Sequence, residues 1–393
     1  MLSSSLATVT PRCQRELGYR YEPVRHTTDD SGRLRIWYAP LEVEMREVDL
    51  RSDTVTLPTL EMRRAMADAE CGDDVWNEDP TVQRLERMAA ERMGKEMGIF
   101  MPSGTMSNLV AVLGWCRPGE EVIVGSEAHM LWHEVGGASA LGGVALRAVR
   151  NDPVGRMEPA AVEEAIRPSA PLVPSTSLIC LENTHNRCCG GALTPQDTKA
   201  VAQVAHDYGI PVHLDGARIF NAAVALDLPA QELASQVDSV SFCISKGLGA
   251  PVGSVLCGSE EFVGRARKIR KMLGGGMRQV GVIAAAGIVA LESMVSRLAE
   301  DHETARKLAR GLAMVPGVQL DPERVQTNIT ILEWVGGPSA EFLEGVTRRG
   351  IKVSAMEGGK IRLVTHLGIN LDDIDYAVRE VGSAAAEIML KKI

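Results

Sequence analysis

The stretch Asp238-Ser239-Val240-Ser241-Phe242-Cys243-Ile244-Ser245-Lys246-Gly247-Leu248-Gly249-Ala250-Pro251 decides how the rest of the chain is read. Its first half is strand-like, with β-branched and aromatic residues, and glycine and proline then break it. Lys246 therefore stands where a buried strand gives way to a turn, an odd location for a solubilising charge. Desolvation there lowers an ammonium pKa and leaves a usable amine. A lysine snorkelling out of a strand end gives the same pattern, so this signal needs company.

Upstream, Pro211-Val212-His213-Leu214-Asp215-Gly216-Ala217-Arg218 is again a short apolar run that ends in a carboxylate. Pyridoxal phosphate chemistry needs a lysine for the aldimine and an acid against the pyridine nitrogen, which keeps the ring able to take up electrons. Lys246 and Asp215, each at a predicted strand end, fit those two roles. Asp215 could equally open a turn as a cap before Gly216. A phosphate site is the third requirement. Met101-Pro102-Ser103-Gly104-Thr105-Met106-Ser107-Asn108 follows an apolar run and precedes the helix-like Leu109–Trp115. Small residues and hydroxyls at a helix start leave N–H groups free for a phosphate, and the helix dipole helps.

At 393 residues the chain can bury a large core, and the length suggests two domains. A net charge of −9 argues against nucleic acid as the main partner. No apolar stretch approaches the ~18 residues of a membrane span, so no membrane partner is expected. The cysteines at 13, 71, 116, 180, 188, 189, 243 and 257 form no CxxC pair. They read as reduced, buried thiols of a cytoplasmic protein, and no metal site is expected. The adjacent Cys188-Cys189 reads as inert packing. Residues 1–48 form a terminal arm of uncertain order; its first residues faintly suggest an organelle presequence, which Glu16 and Glu22 weaken.

From residue 49 onward short apolar runs alternate with helix-period segments. Expected strands are 121–124, 143–149, 176–182, 211–215, 239–244 and 252–257. Expected helices are 83–93, 103–116, 159–166 and 195–208. This alternation predicts an α/β fold with a mostly parallel sheet covered by helices on both faces. Ligands bind beyond the carboxyl ends of such strands, where Asp215 and Lys246 both fall. One long helical segment, 279–314, should link a large domain, 49–295, to a smaller α/β domain, 296–393. That domain should hold strands near 327–334, 351–354 and 360–365 and a final helix at 372–390.

From Asp49 to its C-terminus the chain resembles the low-specificity L-threonine aldolases, pyridoxal phosphate enzymes of fold type I. The resemblance is carried by Asp49-Leu50-Arg51-Ser52-Asp53-Thr54-Val55-Thr56, Gly72-Asp73-Asp74-Val75, Glu78-Asp79-Pro80-Thr81 and Leu181-Glu182-Asn183-Thr184-His185-Asn186. His213–Arg218, Ser245–Ser254, Arg270-Lys271-Met272, Gly274–Gln279 and Arg362-Leu363-Val364-Thr365-His366 continue it in the same order. The resemblance implies that Lys246 carries the cofactor, Asp215 pairs with its pyridine nitrogen, and His129 stacks on its ring. It implies that Gly104 and Thr105 hold the phosphate, with Arg278 contributed by a neighbouring subunit. Asn183 would reach the phenolic oxygen, and Arg218 would border the cofactor. Ser52, Arg218, Arg362, Lys271 and His129 would bind substrate, the arginines gripping its carboxylate. The reaction implied is retro-aldol cleavage of L-threonine or L-allo-threonine to glycine and an aldehyde through a quinonoid. His129 is the candidate base, with Glu134 near the chemistry. A homo-oligomer, dimer or tetramer, with active sites at the subunit interface is implied as well.

Three positions depart from the family pattern. Leu172 stands where a histidine often grips the β-hydroxyl, His133 stands where an aromatic ring is common, and Arg187-Cys188-Cys189 replaces smaller residues. His133 could substitute for the missing imidazole. An alanine racemase of the same family is the first alternative, because the same intermediate can be reprotonated from the opposite face. A non-catalytic binding relative is the second; it would be expected to lose Lys246, Asp215 or a clamp arginine, and all are present.

Overall fold

The computed structural model describes residues 26–28, 34–36 and 46–390. Two compact units, 1–47 and 48–393, are taken separately. In the first, β1 (His26–Thr28) pairs antiparallel with β2 (Leu34–Ile36). Most of the expected terminal arm, Glu16, Glu22 and Cys13 included, lies outside the described residues.

The second unit opens with β3 (Val48–Asp49) and then builds a seven-stranded sheet from β4 (Met97–Met101), β5 (Glu121–Gly125), β6 (Ala145–Val149), β7 (Thr176–Glu182), β8 (Val212–Asp215), β9 (Ser239–Cys243) and β10 (Ser254–Gly258). The order across the sheet is β4-β10-β9-β8-β7-β5-β6. Only β10 runs against the others, being antiparallel to both β4 and β9. Every residue of β5, β8, β9 and β10 is buried, as expected for strands covered by helices on both faces. The register sets Glu182 opposite Asp215 and Asp215 opposite Ser241. Three polar side chains thus sit level at the carboxyl edge of neighbouring strands.

The flanking helices start where the sequence supplies caps. Asp79 accepts from the N–H groups of Thr81 and Val82 at the head of helix Pro80–Met93, which has proline in its first turn. Thr194 and Asp197 form a capping box before Pro195–Asp207. The expected single helix over 279–314 is instead broken. Gly281–Val289 runs into a wider turn at Ala290–Met294, and Leu298–Ala313 leaves at a 70° bend. The physical reason is a change of environment. The first part is apolar all round and packed in the core, whereas Leu298–Ala313 is amphipathic, with charges on its outer face. Among the described residues no single helix is long and apolar enough to cross a membrane.

A second sheet follows, with order β11-β12-β15-β14, from β11 (Val318–Gln319), β12 (Ile329–Trp334), β14 (Ser354–Ala355) and β15 (Lys360–Val364). Just before β14, β13 (Ile351–Lys352) pairs in parallel with β3. Its own apolar cluster includes Leu332, Phe342, Ile361, Ile374 and Val381, and Val48 and Leu50 pack there too. Trp334 and Phe342 stack with centroids 4.0 Å apart. β15 matters for function, because it carries Arg362 to the edge of the first sheet.

Candidate active site

Five strands of the large sheet deliver polar side chains from their carboxyl ends. Beyond β4, Ser103 caps the helix Gly104–Trp115 by accepting from the Met106 N–H. The N–H groups of Gly104 and Thr105 then have no acceptor among the described residues, the usual state of a first helical turn and the one an anion satisfies. A Cβ at Gly104 would lie 2.8 Å from the Cys243 Sγ, so this floor admits only glycine without displacement.

The segment after β5 brings His129, His133 and Glu134. The His129 N–H donates to Glu182 Oε2 at 2.7 Å, and its Nδ1 is 2.9 Å from Glu134 Oε1. The ring of His133 lies 5.3 Å from that of His129, tilted by 53°. Asn108, one turn into the helix from Gly104, ties this segment to β8. Its Nδ2 donates to Glu134 Oε1 at 2.8 Å and to Asp215 Oδ2 at 2.7 Å. Its Oδ1 accepts from the Ser241 hydroxyl at 3.0 Å and lies 3.3 Å from His213 Nε2. Donor and acceptor atoms of His129, Glu134 and Asp215 all fall within 4.8 Å of one another.

The charges follow from this geometry. Burial alone would raise the Asp215 carboxyl, but the charges of His129 and Lys246 and the Asn108 hydrogen bond outweigh it, and its pKa is lowered. Asp215 is therefore a buried carboxylate held ionised. Burial pulls His129 down, yet Glu134, Asp215 and Glu182 overcome that and raise it. Glu134 is raised by burial despite its two donors. His133 is lowered by burial, then by the nearby charges of His129, Arg187 and Arg362.

Lys246 lies just past β9 and is half-buried. Its ammonium has no hydrogen bond or ion pair among the described residues, although its charge acts on both Asp53 and Asp215. Two arginines meet at Asn186 Oδ1. Arg218 holds Asp53 through two bonds of 2.7 Å, fully buried. Arg362 donates from Nη1 to Asn186 Oδ1 at 2.7 Å and from Nη2 to the Arg51 carbonyl at 3.2 Å. Its Nε is buried with no partner. Burial, then repulsion from Arg218, brings the Arg362 pKa down to about 10. A guanidinium stripped of water, crowded by a second one and left with an orphan donor lacks an anion. The residues therefore fit both a phosphate-bearing aldehyde at Lys246 and a carboxylate at Arg362.

The beta-eliminating lyase family model matches residues 49–334. Low-specificity L-threonine aldolase 1 of Arabidopsis thaliana is 45% identical over 340 residues, 85% of this chain and 95% of that protein. The low specificity L-threonine aldolase of Escherichia coli strain K12 is 42% identical, covering 83% and 96%. The chain belongs to the low-specificity L-threonine aldolase family. A Leishmania major threonine aldolase structure shares the fold at TM-score 0.72, with 20% identity over 86% of this chain and 99% of that one. A serine palmitoyltransferase of Sphingomonas wittichii shares it at 0.70, with 16% identity over 89% and 90%. The expected α/β architecture is thus that of the family.

In this aldolase-family chain the structure gathers Lys246, Asp215, His129, His133, Glu134, Gly104, Thr105, Ser52 and Arg362 at the strand ends or beside them. Two of the expected residues have protein partners of their own. Asn183 is wholly buried, with Nδ2 donating to the Leu193 carbonyl at 2.9 Å and Oδ1 accepting from the Leu193 N–H at 3.1 Å. Arg218 gives Nε and Nη2 to Asp53, and its Nη1 lies 3.4 Å from Asn186 Oδ1, the oxygen that Arg362 also holds. Lys271 and Arg278 share no hydrogen bond or ion pair with this cluster among the described residues; Arg278 pairs with Asp73 at 2.9 Å and is half exposed. Leu172 is 93% exposed on a loop. Asp53, Asn108, Asn186 and Glu182 carry no role in the sequence reading, although Asn108 stands one helical turn from Gly104 and so was findable by spacing.

Proposed function

We propose that this chain is a pyridoxal phosphate-dependent carbon–carbon lyase that cleaves L-threonine, L-allo-threonine and related β-hydroxy-α-amino acids to glycine and an aldehyde. The observation that carries it is the combination of Lys246, with no hydrogen bond or ion pair among the described residues and a charge that acts on buried Asp215, and the orphan Nε of Arg362. Bound pyridoxal phosphate supplies a ring that accepts the electron pair of the broken Cα–Cβ bond.

The residues do the rest. Lys246 would hold the cofactor at its aldehyde, Asp215 would keep the ring nitrogen protonated, and Gly104 and Thr105 would hold the phosphate through their N–H groups. Arg362, with the Ser52 hydroxyl, would take the substrate carboxylate and so fix the orientation of the bonds at Cα. His129 Nδ1–H donates to Glu134, which leaves Nε2 to accept the β-hydroxyl proton; Glu134 then stabilises the charged imidazole. Arg218 and Asp53 keep Arg362 company as a fixed pair without touching substrate.

We further propose that the chain works as a cytoplasmic homo-oligomer, in which exposed Arg278 and Lys271 reach a neighbouring copy's site. The division into domains 49–295 and 296–393 is proposed on the separate apolar clusters around the two sheets. Glycine release from L-threonine, L-allo-threonine and phenylserine at equal enzyme tests the activity. Glycine is expected from all three. None from any, with rapid deuterated D-alanine formation from L-alanine in deuterated water, sinks the aldolase reading in favour of the racemase.

A further inference from the structure

Arg187 follows Asn186 directly, and its side chain is only 9% exposed despite its charge. Its Nε donates to Glu127 Oε2 at 2.8 Å and its Nη2 to Glu357 Oε2 at 2.9 Å. The guanidinium lies 4.0 Å from the ring centre of Trp132, whose Nε1–H is anchored on the Ser126 carbonyl at 2.7 Å. A planar, five-donor group can serve two carboxylates and an aromatic face together; a lysine cannot. Glu127 and Trp132 belong to the segment that carries His129 and His133. Glu357 opens the turn into β15, which carries Arg362.

Arg187 also faces two ways. On one side it stacks on Trp132, the residue before His133, and follows Asn186, which holds Arg362 at 2.7 Å, so it stands beside the catalytic residues. On the other it lines a separate cleft of about 950 Å³ with Glu127, Cys188, Cys189 and Lys360. Under the activity proposed above, Arg362 fixes the substrate carboxylate, Lys246 the amine end and His129 the β-hydroxyl. The one group left free is the substituent on Cβ, and Arg187 is the large side chain packed next to both His133's segment and Arg362's partner Asn186.

We infer that Arg187 is the specificity-determining wall for that substituent, a partition held by Glu127, Glu357 and Trp132 between the catalytic residues and the neighbouring cleft. Shortening it joins the two spaces and admits bulkier β-substituents. The test compares kcat/KM for phenylserine and L-threonine in the wild type, Arg187→Ala, Arg187→Lys and Glu357→Gln, all loaded with pyridoxal phosphate. The phenylserine-to-threonine ratio is expected to rise about tenfold in Arg187→Ala, the scale on which pocket volume discriminates apolar groups. It should rise less in Arg187→Lys, which keeps the charge and one carboxylate. Glu357→Gln loosens the wall from an exposed position and should also raise the ratio, which keeps the inference testable if Arg187→Ala does not fold. An unchanged ratio in the folded variants overturns the inference. A wild type that releases glycine from neither substrate fails earlier, at the activity itself.

Discussion

Asn108 separates two carboxyl groups that would otherwise resemble each other. Its amide donates to both Glu134 and Asp215; burial and the charge of Asp215 raise Glu134, whereas the charges of His129 and Lys246 outweigh burial at Asp215 and lower it. Replacing Asn108 by Ala should weaken pyridoxal phosphate binding about 10- to 100-fold, because hydrogen bonds to charged groups contribute roughly 1.5–3 kcal/mol; absorbance titration with the cofactor reads this. Unchanged affinity would show that Asp215 needs no such support. His213 gives a pH prediction. Burial pushes it down to about 4, below its usual 6.5. The native state then binds fewer protons than the unfolded chain between about pH 6.5 and 4. Its contribution is complete above that window and is lost as pH falls through it, by up to about 3 kcal/mol. His213→Asn should show a shallower acid limb in a plot of Tm against pH, and parallel limbs would refute this. Lys246 and Asp215 were legible because strand ends announce themselves in sequence. Asp53 and Arg218 were not legible as a pair: they meet across 165 positions, and no local pattern shows which arginine a carboxylate will fill.

Among elements, the cap of helix Pro80–Met93 does more than start a helix. The Asp79 carboxylate also accepts from the N–H groups of Gly72 at 3.2 Å and Gly281 at 2.9 Å, so it joins a loop and the head of a second helix. Asp79→Ala should cost about 2–4 kcal/mol, a lost cap plus two stranded donors, read by denaturant unfolding. A loss below about 1 kcal/mol would mean that water replaces the carboxylate. The phosphate turn makes a second case. Gly104→Ala places a Cβ against the Cys243 sulfur and should weaken both fold and cofactor binding, by about 1–3 kcal/mol in stability. Adding Cys243→Ala should recover part of both; failure to do so would locate the strain elsewhere. Strands were readable from β-branched runs, but the Asp79 cap was missed, so the helix expected at 83–93 begins earlier, at Pro80. The break after Met294 was not readable either, because apolar and amphipathic helix share one period and differ only in what surrounds them.

For the whole molecule, function depends on two sheets placed against each other. Lys246 and Asp215 come from the first sheet and Arg362 from the second, and the clamp exists only because β15 sets Arg362 beside Asn186 from the end of β7. Alternating runs and spacings made the parallel sheet legible. The placement of the second sheet was not, since it rests on long-range pairs such as Ile351 with Val48. The two sheets converge on a single amine. Reduction with borohydride after addition of pyridoxal phosphate, followed by peptide mapping, tests that convergence most directly. The pyridoxyl group should map to Lys246, and Lys246→Ala should carry none; a label on another lysine, or none on the wild type, contradicts the assignment.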